Sequence, residues 1–169
     1  IDLWQLANVT TFTKYKRLQQ FAGALKVAKK ALHEGMVRHI GISTHNLEVA
    51  LEAVSSGLFE TIQFPFNLIA DEAAKELIPL AKEHDVGFIA MKTFAAGNLK
   101  DANLAIKFLL QYDDVLPDIG IETMRNLEEI VNIVNGSLNL TSQERREIEE
   151  IHDRMYGRFC RHCEKCLPC

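Results

Sequence analysis

The sequence predicts an α/β fold of consecutive βα units around a parallel sheet. Short apolar runs alternate with longer amphipathic ones five times along the chain. The central run, Arg38-His39-Ile40-Gly41-Ile42-Ser43-Thr44, lies between a helical stretch closed by Gly35 and another opened by Asn46. A short apolar run between helices, ending in small polar residues, reads as a buried parallel strand whose C-terminal tip faces a site. No G-x-G-x-x-G or P-loop pattern follows any strand, so the usual nucleotide signature of open sheets is missing. That favours part of a (β/α)8 barrel, with roughly three strands outside this chain.

The elements follow in order. Asp2-Leu3-Trp4-Gln5-Leu6-Ala7 reads as a strand, already inside a larger sheet, since a parallel strand at a free edge would be unprotected. Residues 8–18 are polar and irregular, an expected excursion at the strand's tip. Phe21, Leu25, Ala28 and Leu32 recur at helical spacing with Lys26, Lys29, Lys30 and Glu34 on the solvated face, and Gly35 stops the helix. After the central strand, Asn46 caps a helix carrying Leu47, Leu51 and Val54. Thr61 to Phe64 is the third strand, and Gln63 is anomalous inside it. Asp71 starts a helix through Leu77 and Leu80, with an irregularity expected at Pro79. Val86 to Met91 forms the fourth strand, followed by the small-residue loop Lys92-Thr93-Phe94-Ala95-Ala96-Gly97 and a helix with Leu104, Phe108 and Leu109. The fifth strand is expected over 116–121, after which Asn126 caps a helix with Glu129 completing a capping box. Thr141-Ser142-Gln143-Glu144 is a second capping box, opening a charged surface helix to about Tyr156 whose few apolar positions are Ile148, Ile151 and Met155.

The 169 residues suffice for one domain with an appendage, divided here into a partial barrel over 1–140 and a surface helix with a cysteine-rich segment over 141–169. Hydrophobic residues at 47% and charged ones at 25% are ordinary globular values. A net charge of −4 gives no support for nucleic-acid binding, and no apolar run is long enough to span a membrane. All four cysteines fall in the last ten residues, whereas a disulfide framework would spread them through the fold. Clustering argues for a metal in a reducing, cytoplasmic setting.

Strand tips and the loops after them carry function in barrels, which singles out Ser43, Gln63, the loop from Lys92 and the helix start after Glu122. A helix N-terminus at that last position would suit a phosphate. The bland reading of Ser43 is a turn residue, and that of Lys92 a solvated lysine. His39 and His45 show no spacing to carboxylates that recommends them as ligands.

Together, Ile1-Asp2-Leu3-Trp4-Gln5-Leu6, Gly35-x-Val37-Arg38-x-Ile40-Gly41-Ile42-Ser43, the Gln63 strand and Gly87-Phe88-Ile89-Ala90-Met91-Lys92 resemble the second half of an aldo/keto reductase, from residue 1 to about 135. The resemblance implies a (β/α)8 barrel that binds NAD or NADP without a Rossmann fold and reduces small carbonyl compounds by hydride transfer. By position, Ser43 and Gln63 would hydrogen-bond the nicotinamide carboxamide. Met91 would take the place of a stacking tyrosine, with Lys92 beside it. Thr123 would lie at the adenosine phosphate and Asn132 near the adenine. The family usually has Asn after the serine, where this chain has Thr44. Glu122 stands where NADP-dependent members often carry Lys, which tilts the cofactor toward NAD. Of the catalytic Asp, Tyr, Lys and His, the first three belong to earlier strands, and the His position is Ala7. A methyl group donates no hydrogen bond to a carbonyl oxygen, so the resemblance assigns no catalytic residue here.

Cys160-x-x-Cys163-x-x-Cys166-x-x-Cys169 has gaps that let successive thiolates wrap one face of an iron–sulfur cubane. It resembles the family branch with a C-terminal ferredoxin-like 4Fe-4S segment, which implies electron relay to a partner. Cys169 either completes the cluster or reaches toward a second one. His162 is an alternative ligand, and a zinc-binding tail is the alternative site. Two functions are therefore open: an NAD(P)-linked carbonyl oxidoreductase with an iron–sulfur tail, or a non-catalytic nucleotide-binding or electron-transfer protein on the same scaffold.

Overall fold

The computed structural model describes residues 1–157. The strands are β1 (Leu3–Leu6), β2 (His39–Ser43), β3 (Thr61–Pro65), β4 (Gly87–Met91) and β5 (Val115–Pro117). They form one five-stranded parallel sheet in the sequential order β1-β2-β3-β4-β5. The helices are α1 (Phe12–Leu18), α2 (Ala24–His33), α3 (Leu47–Ser55), α4 (Leu77–Glu83), α5 (Ala102–Leu109), α6 (Met124–Val134) and α7 (Ser142–Met155). Two compact units divide the described residues: Ile1–Phe64 with Ala74–Phe88, and Pro65–Ala73 with residues 89–157.

In the first unit, register explains which side chains share a face. Leu6 pairs with Ile42 and Ile42 with Ile62, a row in which no side chain is more than 6% exposed. Gln5 pairs with Gly41, Gly41 with Thr61, and Ser43 with Gln63. Strand alternation places these five on the opposite face from the apolar row. Gly41 is required there, because a Cβ would lie 2.0 Å from Thr61 Oγ1 and 3.3 Å from Leu3 Cδ1. Leu25 and Ala28 of α2, Val49, Ala53 and Val54 of α3, and Leu77 of α4 are buried as well. Asn46 caps α3 as the sequence implies, its Oδ1 accepting from the Glu48 amide at 3.0 Å. Gly35, at φ 71°, follows α2 in the left-handed conformation of a helix stop.

The second unit has its own core of Leu68, Ile69, Ala95, Leu99, Leu104, Ala105 and Ile148. Ile151 and Met155 of α7 pack against it, so the few apolar positions of that charged helix are the ones that dock it. Lys107 Nζ meets Glu144 Oε1 at 2.7 Å, tying α5 to the first turn of α7. The Thr141/Glu144 capping box forms as expected.

Four sequence expectations need correction. Residues 12–18 are helical, started by Thr11, whose side chain accepts from the Lys14 amide. The stretch from Asp71 is no continuous helix: a 3₁₀ turn at Glu72–Ala74 precedes α4, and Pro79 sits in α4's first turn, where its missing N–H costs nothing. β5 ends at Pro117 instead of running to 121, because proline donates no ladder bond, and Ile121 is left 48% exposed. The cap of α6 is Thr123, and Asn126 is its box partner at the third helical position, displacing the Asn126/Glu129 pair.

Candidate functional site

Ser43 and Met91 end their strands, while Gln63 is the middle residue of β3. Ser43 ends β2 and is only 7% exposed. Its Oγ accepts from the Asn8 amide at 3.0 Å, and its carbonyl oxygen accepts from the Val9 amide at 2.9 Å. Asn8 can turn its N–H there because it adopts φ 59°, a left-handed conformation that Asn tolerates better than most residues. Among the described residues no acceptor takes the Ser43 hydroxyl proton, so the side chain is anchored as acceptor and retains a donor.

Gln63 lies beside Ser43 on β3, half-buried. Gln5 Nε2 donates to its Oε1, reaching across Gly41, where no side chain intervenes. This fixes the Gln63 amide with its oxygen toward β1 and its NH2 on the far side. Thr44 is fully buried, and its Oγ1 accepts from the Asn46 amide at 3.1 Å, so its hydroxyl oxygen is committed to the turn before α3. Ala7 directly follows β1 and presents only a methyl group. His39 sits at the other end of β2 from Ser43, with Nδ1 2.5 Å from Glu60 Oε2. That hydrogen bond is the main cause holding the Glu60 carboxyl below its ordinary range, and the pair is structural.

In the second unit, Met91 ends β4 half-buried, and its carbonyl oxygen accepts from the Phe66 amide at 3.1 Å. Lys92 follows at φ 63° with an exposed side chain. Its carbonyl oxygen accepts from Asn67 Nδ2 at 2.9 Å and from the Ala95 amide at 2.7 Å. Ala95 and Ala96 are also left-handed, at φ 47° and 53°. Three non-glycine residues in this region store roughly 1–2 kcal/mol each, strain typical of loops that hold a ligand.

Thr123 caps α6 from an exposed position, donating to Asn126 Oδ1 at 2.7 Å while accepting from the Asn126 amide. Its hydroxyl is thus engaged locally, and an anion there would meet the first-turn amides of α6. Asn132 lies farther along the same helix, exposed, in a groove shared with Lys107 and Arg125.

Sequence reasoning missed two residues. Gln5 orients Gln63, and the signal was a second polar side chain in an otherwise apolar strand. Asn67, fully buried, holds Lys92 and also accepts from the Ile69 amide at 3.1 Å. Its signal was a lone Asn within Pro65-Phe66-Asn67-Leu68-Ile69. Cys160, Cys163, Cys166 and Cys169 lie outside the described residues, and among the described residues no group of His, Cys, Asp and Glu could hold a metal.

Residues 1–105 match the profile of the aldo/keto reductase family. The chain belongs to that family. It is 26% identical over 167 residues to the uncharacterized oxidoreductase C215.11c of Schizosaccharomyces pombe, covering 89% of this chain and 52% of that protein. Among solved structures it resembles an aldo/keto reductase from Klebsiella pneumoniae in complex with NADP and acetate, at TM-score 0.70 and 16% identity, over 90% of this chain and 59% of the other. It also resembles holo aldo-keto reductase AKR11C1 from Bacillus halodurans, at TM-score 0.71 and 21% identity, over 89% and 58%. The chain therefore spans about half the length of this curated relative. As an aldo/keto reductase it has the family's oxidoreductase scaffold, represented by five of the barrel's βα units. No helix among its described residues is long and apolar enough to cross a membrane.

Proposed function

We propose that the intact protein is an NAD(P)-dependent oxidoreductase of small carbonyl compounds, in which this chain holds the cofactor. The observation that carries the reading is the Ser43–Gln63 register pair. One side chain is anchored by the Asn8 amide with a proton left to donate, and the other is oriented by Gln5. The Ser43 hydroxyl and the Gln63 NH2 are both donors, which suits the carbonyl oxygen of a planar carboxamide. Met91 offers an apolar platform for the nicotinamide and Lys92 a nearby cation, while Thr123 and Asn132 on α6 would serve the adenosine half. A bound nicotinamide dinucleotide supplies or accepts the hydride. Ala7, at the imidazole position, donates no hydrogen bond to a substrate carbonyl, and the family's Tyr and Lys belong to earlier strands, where the proton donor would lie. The Klebsiella neighbour binds NADP, whereas Glu122 disfavours a 2′-phosphate through charge repulsion. Both cofactors belong in the test.

Cys160, Cys163, Cys166 and Cys169 would hold a 4Fe-4S cluster that passes electrons to a partner, zinc being the alternative. A second reading, a nucleotide-binding or electron-transfer protein without hydride chemistry, is favoured by Ala7 alone. Fluorescence titration of the intact protein with NADH and NADPH tests the cofactor site. Ser43→Ala and Gln63→Ala should each weaken binding about fivefold, the loss of one buried hydrogen bond. Unchanged affinity in both overturns the assignment. Iron and sulfide content of anaerobically purified protein tests the tail, and one zinc without sulfide overturns the cluster.

A further inference from the structure

We propose that α7 holds the 92–97 loop in its left-handed form, with Ile148 and His152 as its positioning residues. For what the loop binds, this rests on the cofactor reading above. The coupling of helix to loop stands on packing alone.

α7 is rich in charge, and Ile148, Ile151 and Met155 are its apolar side chains. Spaced three and four apart, they line one helix face. That face docks on a single core: Ile148 is a member of it, and Ile151 and Met155 pack against it. Ala95 of the loop is a fully buried member of the same core, and Phe94 packs against it. Two consecutive loop side chains thus lie in a core that α7 completes.

The loop backbone needs such support. Lys92, Ala95 and Ala96 lie at φ 63°, 47° and 53°, a region that residues with a Cβ enter only at a cost. Asn67 fastens one end of the loop, its Nδ2 donating to the Lys92 carbonyl oxygen at 2.9 Å. Asn67 belongs to the 65–73 stretch, whose Leu68 and Ile69 lie in the core that Ile148 shares. α7 reaches this stretch a second time where His152 Nε2 meets Asp71 Oδ1 at 3.3 Å. The helix therefore acts on the loop twice, through the core that buries Ala95 and through the segment that carries Asn67. Ala96 has an exposed side chain, so its left-handed φ is imposed by its neighbours.

A loop that relaxes when α7 loosens binds its ligand in proportion to the fraction still in the held form. Glycine enters the left-handed region without a Cβ penalty, so Ala96→Gly removes the bias against the held form whatever α7 does. The pairing of these two effects separates the positioning role of α7 from its contribution to overall stability.

The test is fluorescence titration of the intact protein with NADH, beside the backbone carbon NMR shifts of Lys92, Ala95 and Ala96 in the ligand-free protein. Ile148→Ala and His152→Ala should each move those shifts and weaken NADH binding about threefold or more. Adding Ala96→Gly to either variant should recover most of the lost affinity. Val49→Ala, in the core of the first unit, should cost stability yet leave both readouts unchanged. If Ile148→Ala does not fold, Ile148→Val and His152→Ala carry the same test. Loop shifts that neither α7 variant moves, or an affinity loss that Ala96→Gly does not recover, overturn the proposal. Absence of NADH binding in the wild type overturns the cofactor reading alone, because the ligand-free shifts still decide the role of α7.

Discussion

Replacing Gln5 by Leu breaks the amide–amide bond between β1 and β3 while keeping a similar volume. Gln5 Nε2 donates to Gln63 Oε1, and both side chains are half-buried, so the bond is a neutral one in a partly solvated setting. Its net worth is about 1 kcal/mol. Leucine at position 5 gains apolar burial beside Leu3 on the same face, which offsets part of the loss. Gln5→Leu and Gln63→Leu should each change stability by less than about 1.5 kcal/mol. The double variant should lie closer to wild type than the sum of the singles, with a coupling of about 1 kcal/mol. Urea unfolding of the four proteins measures this cycle. The same bond bears on the cofactor. In the proposed cofactor site Gln63, its oxygen held by Gln5, would present its NH2 end to a carboxamide oxygen. A 3-acetylpyridine dinucleotide, which keeps the carbonyl but lacks the amide NH2, should then bind the intact protein about as well as the nicotinamide form. In Gln5→Leu the Gln63 amide can turn over, and the two dinucleotides should separate by about fivefold. Single-variant energies that add within about 0.3 kcal/mol refute the coupling. A dinucleotide ratio that Gln5→Leu leaves unmoved refutes the orientation.

Gly41→Ala should destabilise by about 1–3 kcal/mol through overpacking against Thr61 Oγ1. Adding Thr61→Ala should recover much of that cost in thermal unfolding, because the clashing atom is gone. Lys92→Gly should raise stability by about 1 kcal/mol, since Gly adopts the left-handed conformation without a Cβ penalty, while Asn67→Ala should cost about 1–3 kcal/mol by leaving buried backbone groups unsatisfied. Both are readable from chemical denaturation. Glu144 is held down to about 2 from an ordinary 4.5, first by the Lys107 ammonium and then by the Thr141 amide and Asn103. A depressed carboxyl stabilises the fold above its unfolded value and loses that contribution as pH falls through the folded one. The stability gap between wild type and Glu144→Gln should therefore be full at neutral pH and close between pH 4.5 and about 2.

Much of the scaffold was legible because hydrophobic spacing reports burial directly. The first four strands and their sequential order follow from apolar runs punctuated by Gly35, Asn46 and Gly57. Where spacing and backbone chemistry disagree, the backbone wins. Ile119 and Ile121 extend the apolar run of β5, yet Pro117 ends its ladder and the sheet stops there. α1 was hidden because its turns mix Thr, Lys and Arg with aromatics, so no stripe stands out, although Thr11 was a legible cap. Ser43 drew notice as a polar group at a strand tip, and Gln63 as one inside an apolar strand. Gln5 did not, because a polar residue alternating within a strand also describes a solvent-facing side. Only the register across Gly41 shows that the two amides meet.

The contacts that build the Ser43 corner are backbone contacts, and this bears on what Ala7 means. Ser43 is anchored by the amides of Asn8 and Val9, and Thr44 by the carbonyl of Gln63 at 3.1 Å. None of these bonds depends on the side chain at position 7. Methyl in place of imidazole there leaves these bonds around Ser43 and Thr44 intact.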